Sequence, residues 1–122
     1  HTARRSVFCT SPAIHNPLQN FVSETVATAI LILALLFIGA HRFADGLNPV
    51  IIGLLIVSIG LSLGSTTGFA INPARDLAPR IAYALLPVSR GGNAGWGYAW
   101  VPVTAPFVGA CIGVLLFKML YQ

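Results

Sequence analysis

Thr66–Arg80 reads TTGFAINPARDLAPR. Asn72-Pro73, near its centre, has the chemistry of a helix start. Asn is a preferred N-cap, and proline at the first helical position loses no needed hydrogen bond. A helix from Pro73 to about Leu85 is about 20 Å long at ~1.5 Å per residue, well short of a ~30 Å hydrocarbon core. The wider segment Ser65–Pro87 is too polar to span a bilayer, because it holds Arg75, Asp76 and Arg80 and is punctuated by Pro73 and Pro79. Yet Ala70, Ile71, Leu77, Ala78, Ile81, Ala82, Leu85 and Leu86 make it too apolar for a solvated loop. A re-entrant half-helix over 73–85 fits both facts. In lipid, irregular backbone survives only when buried in protein or lining a water-filled cavity, and broken helices of this kind hold transport sites. The helix N-terminus then sits at depth, with free N–H groups and a positive dipole end turned inward.

Three apolar runs surround the half-helix. They are Asn20–Ala40, whose only charge is Glu24, and the uncharged Leu47–Gly64 and Tyr98–Phe117. Each is close to the ~20 residues of a transmembrane helix, so spans are expected over 20–40, 47–64 and 98–119, after a loop or tail over 1–19 broken by Pro12 and Pro17. Arg42, Asp45, Gly46 and Pro49 mark the break between the first two. Trp96, Tyr98 and Trp100 precede the third, where an aromatic belt is expected. Gly60-xxx-Gly64 and Ala105-xxx-Gly109-xxx-Gly113 read as packing surfaces, since small residues let helix backbones approach.

Composition supports the membrane reading. Of the 122 residues only 8% are charged, and 56% are hydrophobic, against roughly 25% charged in soluble domains. Ten charges cannot give a soluble enzyme, a disordered chain or a nucleic-acid module its polar skin. The net charge of +4 is scattered, so nothing reads as a phosphate-backbone patch and no nucleic-acid partner is expected. Cys9 and Cys111 lie outside any CxxC or Cys/His spacing, which points to neither a disulfide nor a metal. His1, His15 and His41 read as solvated loop residues. The chain opens at His1 without a Met, as in a processed or truncated chain, and no signal-peptide pattern opens it. No cofactor is implied, and no Ser/His/Asp or Cys/His set suggests an enzyme.

Four charged residues carry the functional argument. Arg75 lies in the first helical turn, where the dipole disfavours a cation and burial in a membrane costs about 2.5–3.5 kcal/mol on insertion scales. Pairing with Asp76 or snorkelling to the surface would explain it. The favoured reading has its guanidinium facing a polar pathway, donating to hydroxyl or water oxygens and repelling cations. Asp76 and Arg80 make an i,i+4 pair that either holds the half-helix together or touches substrate. Glu24, the one acid inside a span, is either a proton relay or cation site, or a buttress accepting hydrogen bonds from the re-entrant backbone. With no second membrane acid to continue a relay, the buttress is favoured. Leu31 shares a face with Glu24, and Ile56 with Gly60.

The stretch Thr66–Arg80 resembles the second NPA loop of the major intrinsic proteins, the aquaporins, and most of all their glycerol-facilitator branch. Asn72-Pro73-Ala74-Arg75-Asp76, the basic Arg80 and the pair Pro102-Val103 fit that branch. Phe8–Pro12 is similar to the loop before the fourth span, Glu24 to that span's glutamate, and Phe43–Pro49 to bacterial glycerol facilitators. The resemblance covers about residues 8–120. It implies an all-α membrane protein, with three transmembrane helices and one re-entrant half-helix forming the second (C-terminal) inverted repeat of the aquaporin fold. It implies a passive channel for glycerol, water and other small neutral solutes that excludes ions and protons. Asn72 would donate its amide to the permeant, and the carbonyls of Gly68, Phe69 and Ala70 would form an acceptor ladder. Arg75, Phe69 and Gly60 would shape the filter, with Leu31 and Ile56 extending its greasy face. Glu24, Asp76 and Arg80 would be supports.

Two departures accompany the resemblance. Ser11 stands where many glycerol facilitators have tyrosine. The partner half-helix and the first-repeat filter residue are absent, so a first half would be needed to close the pathway. Family orientation would put the N-terminal and Arg90 loops outside and Arg42 and Lys118 inside, whereas the basic-residue count leans the other way. A homotetramer in a bacterial plasma membrane is implied by resemblance. A proton-coupled transporter using Glu24 and a non-conducting packing subunit are the competing readings.

Overall fold

A computed structural model describes residues 2–122; His1 lies outside the described residues. Five α-helices follow one another: α1 Thr2–Phe8, α2 Pro17–Gly39, α3 Leu47–Leu63, α4 Pro73–Leu85 and α5 Trp96–Leu120, with a 3-10 turn Pro87–Ser89 between α4 and α5.

The N-terminal stretch differs from the expected loop, because α1 occupies Thr2–Phe8. Its apolar anchor is Phe8, whose ring meets Tyr83 of α4 at 5.5 Å. That contact is tertiary, which is why no helical periodicity announces α1. Helix α2 begins at Pro17, three residues before the apolar run. Asn16 caps it, its Oδ1 accepting from Gln19 N at 3.2 Å, and proline takes the first helical position. Helix α5 likewise begins before its run, at Trp96.

Helices α2 and α5 form the backbone of the fold, and small residues set their separation. A Cβ on Gly109 would meet the Thr25 carbonyl oxygen and, at 2.8 Å, Thr28 Cβ; one on Gly113 would lie 2.7 Å from the Ala29 carbonyl oxygen. Aromatic pairs close both ends, Phe21 with Trp100 at 5.8 Å and Phe37 with Phe117 at 5.0 Å. By length and composition both helices can cross a membrane, with mean hydropathies of 2.4 and 2.0. Helix α3 is shorter, and Ile59 is its one buried residue. Leu54 and Leu61 of α3 and Phe107 and Leu115 of α5 are exposed. Apolar surface of this extent calls for lipid or a partner rather than water.

Candidate functional site

The start of α4 is built by its own side chain. Asn72 Oδ1 accepts from Ala74 N at 3.0 Å and Arg75 N at 3.3 Å. The cap uses the amide oxygen, so the two Nδ2 hydrogens remain available as donors. The preceding backbone is unusual. Gly68, Phe69 and Ile71 all have positive φ (80°, 62° and 45°), a conformation that costs non-glycine residues about 1–3 kcal/mol each.

Glu24 holds this strained segment. It is fully buried, and its carboxylate accepts from Thr67 Oγ1 at 2.5 Å, Ala70 N at 3.1 Å and Ile71 N at 2.8 Å. Those donors turn inward to α2. Among the described residues no N–H or O–H is donated to the carbonyls of Gly68, Phe69 or Ala70, so three acceptors remain unpaired.

A second buried group fixes the other side of α4. Asp76 and Arg80 are completely buried and form the one ion pair among the described residues, at 2.7 Å. Asp76 Oδ1 also accepts from Thr10 N at 2.7 Å and Thr10 Oγ1 at 2.6 Å. Arg80 donates to the carbonyls of Thr10 at 2.9 Å, Ala94 at 2.6 Å and Gly95 at 3.1 Å. The pair thus ties α4 to the loop after α1 and to the loop before α5. Cys9 lies beside it. Burial pushes its thiol above the ordinary value, so it remains a thiol and donates to the Arg5 and Ala94 carbonyls at 3.7 and 3.9 Å.

Because Asp76 is engaged by Arg80 and Thr10, Arg75 does not pair with it. Arg75 is exposed, its guanidinium 5.6 Å from the centre of the Phe69 ring. Both line a groove of about 450 Å³ that also includes Leu31, Ile56, Ala70 and Asn72. Donors and acceptors of the α4 start lie along one part of it, and aliphatic and aromatic side chains of α2, α3 and α5 along the rest.

Of the residues singled out from sequence, Gly60 lies outside this lining. It packs behind Phe69, where an added Cβ would lie 3.3 Å from ring Cε1. Gly68 faces a separate cavity of about 430 Å³, formed with Cys9, Ser11, Arg75 and Pro79. Arg75 borders both spaces. Pro102 is buried and Val103 half-buried in α5, and neither borders the groove.

A model of the major intrinsic protein family matches residues 2–117. The chain belongs to the major intrinsic protein family. It is 51% identical over 114 residues to glycerol uptake facilitator protein 3 of Lactiplantibacillus plantarum, covering 93% of this chain and 48% of the relative. It is 50% identical over 120 residues to the glycerol uptake facilitator protein of Bacillus subtilis, covering 98% and 44%. The X-ray structure of the aquaglyceroporin from Plasmodium falciparum superposes with a TM-score of 0.63 at 32% identity, over 93% of this chain and 48% of that one. The chain spans about half the length of these relatives. It is an all-α integral membrane protein whose helices form one inverted repeat of the aquaporin fold.

Within this major intrinsic protein repeat, sequence reasoning missed Thr10, Thr67 and Tyr83. Thr10 and Thr67 supply hydroxyl donors to the two buried acids, and Tyr83 is a fully buried ring between α1 and α4. The available signal was the acids themselves. A buried carboxylate has about four lone-pair sites, so each demands donors from the chain around it.

Proposed function

We propose that residues 1–122 form the second half of a passive channel for glycerol, water and other small neutral solutes, completed by a first repeat into the assembled channel. The carrying observation is the two-sided groove. A polyol presents hydroxyls to one side and CH groups to the other. Here the Asn72 amide, the Arg75 guanidinium and the unpaired carbonyls of Phe69 and Ala70 serve the hydroxyls, with the Gly68 carbonyl beside the adjoining cavity that Arg75 also borders, while Leu31, Ile56 and the Phe69 ring serve the carbon skeleton. Gly60 leaves Phe69 free to stand at the narrow point.

Each polar group has a distinct task. Asn72 Nδ2 donates to a permeant oxygen, and the carbonyl row accepts from permeant hydroxyls. Arg75 and the positive end of α4 repel cations, the known behaviour of aquaporin-type pores, which is applied here to these residues. Glu24 acts as a buttress, since both of its oxygens are committed to loop donors. The remaining acids are Asp45, in the loop after α2, and Asp76, in the Arg80 clamp. Neither continues a relay from Glu24. Asp76 and Arg80 hold α4 in place.

In this reading α2, α3 and α5 each cross a bacterial plasma membrane, α4 enters it part-way, and the assembled channels associate as homotetramers. No reaction is catalysed. The test is glycerol swelling of vesicles carrying the assembled channel with no proton gradient. Swelling above protein-free vesicles supports the reading; strict dependence on a pH gradient overturns it in favour of a coupled transporter.

A further inference from the structure

A third cavity, of about 360 Å³, lies behind the Arg80 clamp, away from the groove. Its walls come from α1, the loop after it, and the starts of α2 and α5. Arg5, Ser11, His15, Arg80 and Asn93 border it, and neither aspartate nor glutamate does.

Two guanidinium groups converge there. The position of a Cβ on Gly95 would lie 3.1 Å from both Arg5 Nη1 and Arg80 Nη1. Gly95 has φ +72°, so its backbone favours glycine and leaves the space between the two cations open. Arg80 is neutralised by Asp76. Among the described residues Arg5 has no acidic partner; there its one side-chain hydrogen bond is to the Asn93 carbonyl at 3.3 Å, and its Nε is buried without a partner. An orphaned guanidinium donor set against a second guanidinium is costly on both counts, by unmet hydrogen bonding and by like-charge repulsion. A bound anion removes both costs.

The donors indicate which anion. Arg5 is joined in the lining by Ser11, His15 and Asn93, whose hydroxyl, ring nitrogens and Nδ2 make no hydrogen bond among the described residues. Asn93 Oδ1 is occupied by Gly95 N at 2.7 Å, which turns the Nδ2 end outward. Several neutral donors beside an unneutralised guanidinium suit an oxyanion, and the arginine fork is well shaped for the oxygens of a phosphate group. The surroundings are basic, with Arg4 and Arg90 bordering a shallow space at the same end of the fold. The cavity also lies at the level of Trp96 and Trp100, the exposed aromatics that start α5.

We propose that this cavity is a phosphate-type oxyanion site, occupied by free phosphate or by a phospholipid headgroup. It shares no lining residue with the groove and does not depend on the permeant.

The test titrates the assembled channel in an alkyl glycoside detergent free of phospholipid. One arm adds inorganic phosphate, and the other adds phosphatidylglycerol in mixed micelles. Binding is read by calorimetry or native mass spectrometry. The Arg5→Gln variant removes the orphaned donor and its charge. Asn93→Asp keeps the Gly95 cap and places a carboxylate in the cavity. Each is expected to weaken binding about tenfold or more, while Arg90→Gln leaves it unchanged. Arg5-dependent binding of phosphate assigns the site to a free anion. Such binding of phosphatidylglycerol alone assigns it to a headgroup. No binding in either arm, or binding untouched by both cavity variants, overturns the proposal.

Discussion

Glu24→Gln is the substitution that separates a buttress from a proton relay. The wild-type carboxylate meets three donors and no acceptor: Thr67 Oγ1 and Ala70 N on Oε1, Ile71 N on Oε2. A glutamine of the same shape has one acceptor oxygen and one NH₂. With the oxygen toward Thr67, the NH₂ confronts Ile71 N–H. With the amide flipped, Thr67 can rotate its hydroxyl to accept, but the NH₂ then confronts Ala70 N–H. Either way one backbone donor loses its partner. Losing a hydrogen bond to a charged group and leaving a buried N–H unmet together cost about 3–5 kcal/mol. That is a large share of the about 5–15 kcal/mol by which proteins are stable. The loss falls on the segment with positive φ at Phe69 and Ile71, so the carbonyl row should loosen first. The assay is the folded fraction of the assembled channel in detergent by size-exclusion chromatography, with thermal unfolding, alongside glycerol flux per folded molecule. The expected result is a lower folded fraction and lower thermal stability. Wild-type stability together with abolished flux would refute the buttress and make Glu24 a transport group.

Three further predictions follow from close contacts in the fold. Gly60→His should reduce glycerol flux more than water flux in stopped-flow swelling, because a Cβ there already lies 3.3 Å from the Phe69 ring; equal losses of both would remove Gly60 from the filter. Arg75→Val should raise cation or proton leak in dye-loaded vesicles, since the guanidinium borders the groove; an unchanged leak would end its assigned role. Gly109→Val should destabilise the protein by about 1–3 kcal/mol or more through overpacking, since any Cβ there meets Thr25 and Thr28; unaltered unfolding in detergent would show that α2 and α5 do not pack this way.

The local chemistry of the chain was legible, and its long-range partners were not. Asn72 and Pro73 specify a helix start by capping and by φ, both properties of neighbouring residues, and α4 begins at Pro73. The Asp76–Arg80 pair is one helical turn apart and needs no tertiary knowledge either. By contrast, Thr10 lies 66 residues from Asp76, and Thr67 lies 43 from Glu24. Nothing in the spacing of a lone threonine announces such a contact. The start of α2 at Pro17 was hidden because hydropathy begins at Asn20, whereas the helix begins where Asn16 can cap it. Gly60 shows a further limit: spacing pairs it with Ile56 and the resemblance assigns it to the filter, but only the fold shows the Phe69 ring lying against it. The groove depends on tertiary placement as well, since helical spacing relates Leu31 to Glu24 and Ile56 to Gly60 but does not bring α2, α3 and the α4 start to one cavity.

Everything rests on the first turn of α4 bordering a water-filled passage at bilayer depth. The most direct measurement is thiol accessibility at Ile56, which borders the same groove as Asn72 and Arg75. In the assembled channel carrying Cys111→Ser, the Ile56→Cys variant is treated in proteoliposomes with a small water-borne thiol reagent. Rapid modification, with glycerol flux falling in step and excess glycerol slowing the reaction, is the predicted result. An Ile56→Cys protein that folds and conducts glycerol while its thiol stays unreactive would contradict the account.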